Sequence, residues 1–291
     1  MKLLDGSLAA AHYKEKIKEE VKSLISQGSK KPHLAAILVG NNPASEAYVG
    51  AKVRTCEEIG FASTLLRLDA QIDEASLLKE IAALNENKDV DGILVQLPLP
   101  KHIREASIIN AIDPSKDVDG FHPVSIGKLV LGQDTFLPAT PYGILLMLSY
   151  YGIDLSGKHC VVVGRSNIVG TPMSILLSRN NAYGNATVTL THSKTKDLKA
   201  HCLQADVIIA AIGIPFFLKA DMVKEGAIVI DVGINRIEDA SKKSGSRLVG
   251  DVDFDAVAPL CSYITPVPKG VGPMTICGLM QNTLNAVKNK R

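Results

Sequence analysis

Gly157-Lys158-His159-Cys160-Val161-Val162-Val163-Gly164-Arg165-Ser166-Asn167-Ile168-Val169-Gly170-Thr171-Pro172 reads as a strand, a tight turn and the start of a helix. Gly164 permits the sharp turn, and the small Ser166 lets the backbone approach a pyrophosphate. Gly170 allows close helix packing, and the helix N-terminus offers amide donors and positive dipole to phosphate groups. The spacing departs from G-x-G-x-x-G, because Ser166 replaces the second glycine and Gly170 comes one residue late. Read alone, the stretch is also compatible with an ordinary strand-to-helix turn, so the sequence around it must decide.

Downstream, the alternation continues with strands expected at 186–191, 206–211 and 227–231 and helices at 168–180 and 195–204. The strand at 186–191 runs into Thr191-His192-Ser193-Lys194-Thr195, with no carboxylate before Asp197. An NAD-specific fold places an acidic residue there on the ribose hydroxyls. Ser193, Lys194 and the nearby Arg165 suit an extra phosphate better, which favours NADP over NAD. Lys194 taken singly is equally a solvated loop lysine. The next two strands stop at Ile212-Gly213 and at Val232-Gly233-Ile234-Asn235, as expected where a cofactor lies over the carboxyl ends of parallel strands.

Upstream lies a second α/β alternation without sequence repeat. A helix is expected at 8–27, strands at 34–39, 61–68 and 92–95, and helices at 44–59 and 74–86. The strands are apolar throughout, which points to a parallel sheet covered on both faces. Residues 113–140 are rich in Asp, Gly and Pro and read as a long irregular connection, with a bridging helix over 141–151. The fold class expected is α/β, two α/β domains flanking a cleft. The first covers 1–140, joined by a C-terminal helix from about 268–291, and the second, a Rossmann-like dinucleotide-binding domain, covers 141–267.

Bulk properties narrow the function classes. With 32 Lys plus Arg against 30 Asp plus Glu the net charge is +2, which gives no electrostatic case for nucleic acid or a membrane surface. The basic cluster Lys288 to Arg291 reads as a solvated helix end. Cys56, Cys160, Cys202, Cys261 and Cys277 are far apart with no C-x-x-C pair, so no metal site is expected. There is no signal-peptide h-region and no apolar run near the ~20 residues that span a bilayer, so a reducing cytoplasm is the simplest location.

In the first half, Tyr48 and Lys52 are four apart on one helical face. A lysine beside apolar surface can have its pKa lowered and exchange protons near neutrality. Gln96 sits just past a strand beside Pro98 and Pro100, and Asp117 and Asp119 lie in Lys116-Asp117-Val118-Asp119-Gly120-Phe121-His122-Pro123. Each alone has a plainer reading as a solvated charge, a core aromatic or a turn former.

Together, Tyr48-Val49-x-x-Lys52, Val95-Gln96-Leu97-Pro98-Leu99-Pro100, Lys116-Asp117-Val118-Asp119-Gly120-Phe121, Pro138-Ala139-Thr140-Pro141, Gly164-Arg165-Ser166-x-x-Val169-Gly170-x-Pro172 and Pro266-Val267-Pro268-x-Gly270-Val271-Gly272-Pro273-Met274-Thr275 occur in order along nearly the whole chain. In this the chain strongly resembles the bifunctional methylenetetrahydrofolate dehydrogenase/methenyltetrahydrofolate cyclohydrolase family. The resemblance implies NADP-dependent oxidation of 5,10-methylenetetrahydrofolate, then hydrolysis to 10-formyltetrahydrofolate. It implies Lys52 as the central proton-transfer group, with Gln96 and Asp119 catalytic alongside it and holding the pterin. Tyr48, Pro268 and Gly272 are implied beside the folate, and Gly164, Arg165, Ser166, Val169, Ser193 and Ile234 against the cofactor. It also implies a homodimer. Lys269 departs from the family pattern, where glycine is common; a lysine there either reaches the folate's glutamate tail or points to solvent. Two other readings share the second-half evidence: an NADP dehydrogenase of a hydroxy or amino acid, and a dinucleotide-sensing module without turnover.

Overall fold

A computed structural model describes residues 1–241 and 245–288; of the basic C-terminal cluster, only Lys288 falls among them. The chain opens with a two-residue strand β1 (Lys2–Leu3) and helix α1 (Gly6–Ser26). There follow β2 (His33–Val39), α2 (Pro43–Ile59), β3 (Ala62–Leu68), α3 (Glu74–Glu86), β4 (Gly92–Val95), α4 (Glu105–Ala111) and α5 (Pro123–Leu131). After α6 (Ala139–Tyr150) come β5 (His159–Val163), α7 (Gly170–Ser178), β6 (Thr187–Thr191), α8 (Leu198–Gln204), β7 (Val207–Ala210) and β8 (Ile228–Asp231). The last elements are β9 (Asn235–Glu238), β10 (Ser246–Val249), α9 (Phe254–Val257), β11 (Tyr263–Ile264) and α10 (Val271–Lys288).

The chain divides into two compact units, Ala11–Ala139 with the chain from Ile276 onward, and Met1–Ala10 with Thr140–Thr275. The first carries a parallel sheet in the order β3-β2-β4. Every residue of β4 and all of β2 after His33 are buried, as a sheet covered on both faces requires. One face is covered by Ile17 and Val21 of α1, Val49 and Ile59 of α2, and Leu279, Met280 and Leu284 of α10. On the other, Leu77 and Ile81 of α3 and Ile108 of α4 pack over Ile37, Ile93 and Val95.

The second unit carries an all-parallel sheet ordered β1-β11-β8-β7-β5-β6. The chain steps from β5 outward to β6, then returns across β5 to β7, which makes the β5/β7 boundary the point where winding reverses.

Three expectations change. Residues 113–140 are not irregular throughout: α5 lies inside, opened by the His122 side chain accepting from Val124 N–H, with Pro123 next, and closed by Gly132 at φ 77°. The Pro and Gly read as loop formers are this helix's caps. The first ten residues belong with the second unit, because Lys2 N–H and Leu4 N–H donate to Ser262 and Ile264 carbonyls alongside β11. A two-residue strand leaves no periodicity to read. Finally, α10 begins at Val271, three residues later than the start expected near 268.

Candidate active site

α2 is opened by Asn42, whose side chain accepts from Ala44 and Ser45 N–H, and closed by Gly60 at φ 86°. Its buried stripe runs Ser45, Val49, Lys52, Thr55, Cys56, Ile59, so a lysine occupies a position that helical spacing gives to the core. Lys52 is only 3% exposed. Its Nζ donates to Gln96 Oε1 at 3.1 Å and lies 4.9 Å from the centroid of the Tyr48 ring one turn earlier. Burial pulls the Lys52 pKa below the ordinary lysine value, and the negative charge of Asp119 partly opposes that. Asp119 is its counterpart: burial raises its carboxyl, and Lys52 pulls it back down.

Backbone structure sets the other side chains. Gln96 N–H donates to Ile37 C=O at 2.9 Å, extending the β2–β4 pairing one residue past β4, and Gln96 Nε2 donates to Leu97 C=O at 2.8 Å. The segment bearing Asp119 runs beside β4, with Ile93 N–H donating to Lys116 C=O at 2.8 Å. Val118 presses on Gly92 so closely that any Cβ there would meet it at 2.6 Å. Gly120 turns the chain at φ 73°, and Asp119 C=O accepts from Ala139 N–H at 3.2 Å. Asp117, singled out in sequence beside Asp119, has a different job. It is buried and accepts from Ser125 Oγ at 2.7 Å, His122 N–H at 2.9 Å and Phe121 N–H at 3.2 Å, so it holds the turn. Burial pushes its carboxyl up to about 6. Lys116 is also internal, its Nζ donating to the carbonyls of Leu84, Asn85 and Asn87 at the end of α3.

In the other unit, Val163, Thr191, Ala210 and Asp231 are in register across β6, β5, β7 and β8. The turns that follow, at Gly164, His192–Thr195, Ile212-Gly213 and Val232–Asn235, therefore share one edge of the sheet. Gly164 adopts φ 117°, and a Cβ there would collide with Ala211 C=O; a Cβ on Gly170 would collide with Gly164 C=O. Ser166 Oγ accepts from Val169 N–H at 3.2 Å and from Gly170 N–H at 3.4 Å, so it closes the turn that a second glycine would leave open. Arg165, Ser166, Asn167 and Ile168 are exposed above this Cβ-free seam, as are Ser193 and Lys194 after β6. Asp197 is spent on the α8 N-terminus, accepting from Ala200 N–H. A glycine-lined turn at the winding reversal, an exposed arginine and no free acid after β6 fit a phosphorylated dinucleotide. No group of three or more His, Cys, Asp or Glu among the described residues is placed to hold a metal ion.

Tyr48, Lys52 and Gln96 are thus joined by direct contacts, and Asp119 by its charge. Gly164, Arg165, Ser166, Val169, Ser193 and Ile234 share the sheet edge of the other unit, to which Pro268 and Gly272 also belong. Lys269 is exposed and adopts φ 81°, the left-handed region that favours glycine, while its C=O accepts from Gly6 and Ser7 N–H. Two residues were missed in sequence: Asp231 and Asp251 lie buried against the turns that follow β7 and β8. The signal available was an aspartate ending an apolar strand before Val-Gly, and a second one after Val249-Gly250.

Known proteins share this arrangement. The profile described as "Tetrahydrofolate dehydrogenase/cyclohydrolase, catalytic domain" matches residues 4–119, and "Tetrahydrofolate dehydrogenase/cyclohydrolase, NAD(P)-binding domain" matches 138–291. The Bifunctional protein FolD of Cytophaga hutchinsonii is 60% identical over 290 residues, 100% of each chain. The crystal structure of the bifunctional enzyme FolD from Campylobacter jejuni superposes with a TM-score of 0.93 at 51% identity, covering 100% of both chains. The Trypanosoma brucei methylenetetrahydrofolate dehydrogenase-cyclohydrolase, solved with NADP cofactor and inhibitor, gives 0.93 at 36% identity over 98% of this chain and 97% of its own. With both profiles together covering most of the chain and a relative matching its full length, the chain belongs to the tetrahydrofolate dehydrogenase/cyclohydrolase family.

Proposed function

We propose that this chain is a bifunctional one-carbon folate enzyme. It oxidises 5,10-methylenetetrahydrofolate to the 5,10-methenyl form with NADP and then hydrolyses that product to 10-formyltetrahydrofolate. The observation that carries this reading is the buried Lys52, held on Gln96 Oε1 over the Tyr48 ring with its pKa lowered. An amine in that state gives up and takes back a proton more readily than a solvated lysine, which stays charged.

NADP, when bound, supplies the hydride acceptor. The exposed Arg165–Ile168 turn would hold its pyrophosphate, Ser193 with Arg165 would hold the extra phosphate, and Ile234 would lie on its nicotinamide side. In the hydrolytic step Lys52 takes a proton from the water that adds to the methenyl carbon. It returns that proton to N5 as the bond from that carbon to N5 breaks, while the added hydroxyl releases its own proton to solvent and becomes the formyl oxygen. Gln96 fixes the direction of the Lys52 amine by accepting one N–H, and Asp119 tunes its charge and anchors the pterin. Tyr48, Pro268 and Gly272 pack beside the folate. The chain from Ala11 to Ala139 with the C-terminal helix is the folate side, and the other unit the cofactor side. The enzyme works in the cytoplasm as a homodimer, its formyl product serving purine biosynthesis.

The test is Lys52→Ala. Cyclohydrolase activity falls by about 100-fold or more, the scale of a lost general base, while NADP affinity changes little. Hydrolysis of methenyltetrahydrofolate at the parental rate refutes the role of Lys52. Failure of methylenetetrahydrofolate to reduce NADP refutes the assignment as a whole.

A further inference from the structure

Asp251 is fully buried, 0% exposed, yet it lies in none of the six motifs that point to the reaction. Its Oδ2 accepts from Ile212 N–H at 2.7 Å and Gly213 N–H at 2.9 Å, the two amides of the turn after β7. Its Oδ1 accepts from Asn235 Nδ2 at 2.9 Å, at the end of the turn after β8. One carboxylate thus ties together two turns beyond the point where the β7–β8 pairing ends. The carboxylate also packs on Gly233, where any Cβ would collide with it, so the residue before Ile234 has no freedom to shift. Asp231 completes the frame from beneath: it accepts from Gly233 and Asp251 N–H at 2.9 Å and from Val252 N–H at 3.0 Å. Above this base the Ile234 side chain is 56% exposed on the turn, and its Cδ1 lies 3.8 Å from where a Cβ on Gly272 would stand.

We propose that Asp251 is a positioning residue for the dinucleotide: by clamping the turns after β7 and β8 it fixes Ile234 and the Gly213 backbone where the nicotinamide side of the cofactor rests. The proposal depends on the reading of Ile234 as a cofactor contact. Loss of the clamp leaves three donors without their partner, the part-buried Ile212 N–H and Asn235 Nδ2 and the exposed Gly213 N–H, and the turns relax toward water to satisfy them. The damage belongs to the cofactor side, so it splits the two activities: oxidation uses NADP and hydrolysis of the methenyl substrate does not.

The experiment compares Asp251→Ala, Asp251→Asn, Asn235→Ala and Ile234→Ala, with NADP affinity and KM, dehydrogenase rate and cyclohydrolase rate measured on each. In Asp251→Ala the KM for NADP rises and the dehydrogenase-to-cyclohydrolase ratio falls, each by about tenfold or more, as expected when a positioned group drifts. Asp251→Asn rescues most of this, because its amide oxygen keeps the two turn amides and its NH2 donates to a flipped Asn235 carboxamide. Asn235→Ala, which cuts one of the three bonds, gives a smaller shift in the same direction and serves if Asp251→Ala does not fold. If both activities fall together in Asp251→Ala, or if Asp251→Asn is as poor as Asp251→Ala, the positioning role is overturned. If Ile234→Ala weakens NADP binding but neither Asp251→Ala nor Asn235→Ala does, Asp251 has no such role. If Ile234→Ala itself leaves NADP affinity unchanged, it is the cofactor reading of Ile234 that fails.

Discussion

Lys52 combines two conditions that oppose each other. Its place on the core-facing stripe of α2 removes water and favours the neutral amine, while Asp119 favours the ammonium. The sign of each influence gives a prediction. In a pH–rate profile of hydrolysis, activity rises as Lys52 loses its proton and becomes available as a base. Asp119→Asn removes the charge that holds the Lys52 pKa up, so the rising limb moves to lower pH even as the maximal rate drops. A limb displaced to higher pH contradicts the pairing. Asp231 gives a second titration, this time of stability. Burial pushes its carboxyl up from 3.8 to about 7, so the fold prefers the protonated form. Its contribution is complete below the ordinary carboxylate value and is lost as pH rises through about 7. Thermal unfolding of the parent relative to Asp231→Asn therefore shows a midpoint difference that shrinks or reverses from pH 4 to pH 8. A difference constant across that window refutes the shift.

At the scale of elements, the turn between β5 and α7 is set by what its residues lack. A methyl group on Gly170 has nowhere to go but into Gly164 C=O, and Gly164 is itself held by donating to Thr191 C=O at 3.0 Å. Gly170→Ala thus forces α7 away from the end of β5. The expected result is about 1–3 kcal/mol of lost stability in denaturant unfolding, together with weakened NADP binding. Unchanged NADP affinity in a folded Gly170→Ala protein counts against the turn as the pyrophosphate site. The segment 113–140 teaches the converse: His122, Pro123 and Gly132 are helix caps for α5, and Lys116 is the donor that finishes α3. A Pro- and Gly-rich composition describes caps and loops alike, and only the spacing of buried positions between them separates the two.

For the molecule as a whole, five cysteines are all reduced and buried. Burial raises every thiol, Cys202 and Cys261 to about 11 and Cys56, Cys160 and Cys277 to about 12. None is a nucleophile in the native protein, so iodoacetamide at pH 8 leaves the folded chain unmodified by mass spectrometry and labels it only as it unfolds. Rapid native labelling of any one of them contradicts its burial. Strands β2 to β8, α2, α3 and the Gly164 turn were legible in sequence because continuous apolar runs and turn glycines are local signals. So were Tyr48, Lys52, Gln96 and Asp119, since motif strings mark positions along the chain. What those positions do to one another was not legible. The same lysine keeps its ordinary pKa in water and has it lowered when 3% exposed. Which carboxylates sit under the cofactor turns, why Asp117 holds a turn while Asp119 faces an amine, and why the first strand joins the last depend on approach between residues up to 261 apart, as Lys2 and Tyr263 are. Desolvation and hydrogen-bond geometry arise from that approach, and so they belong to the tertiary structure alone.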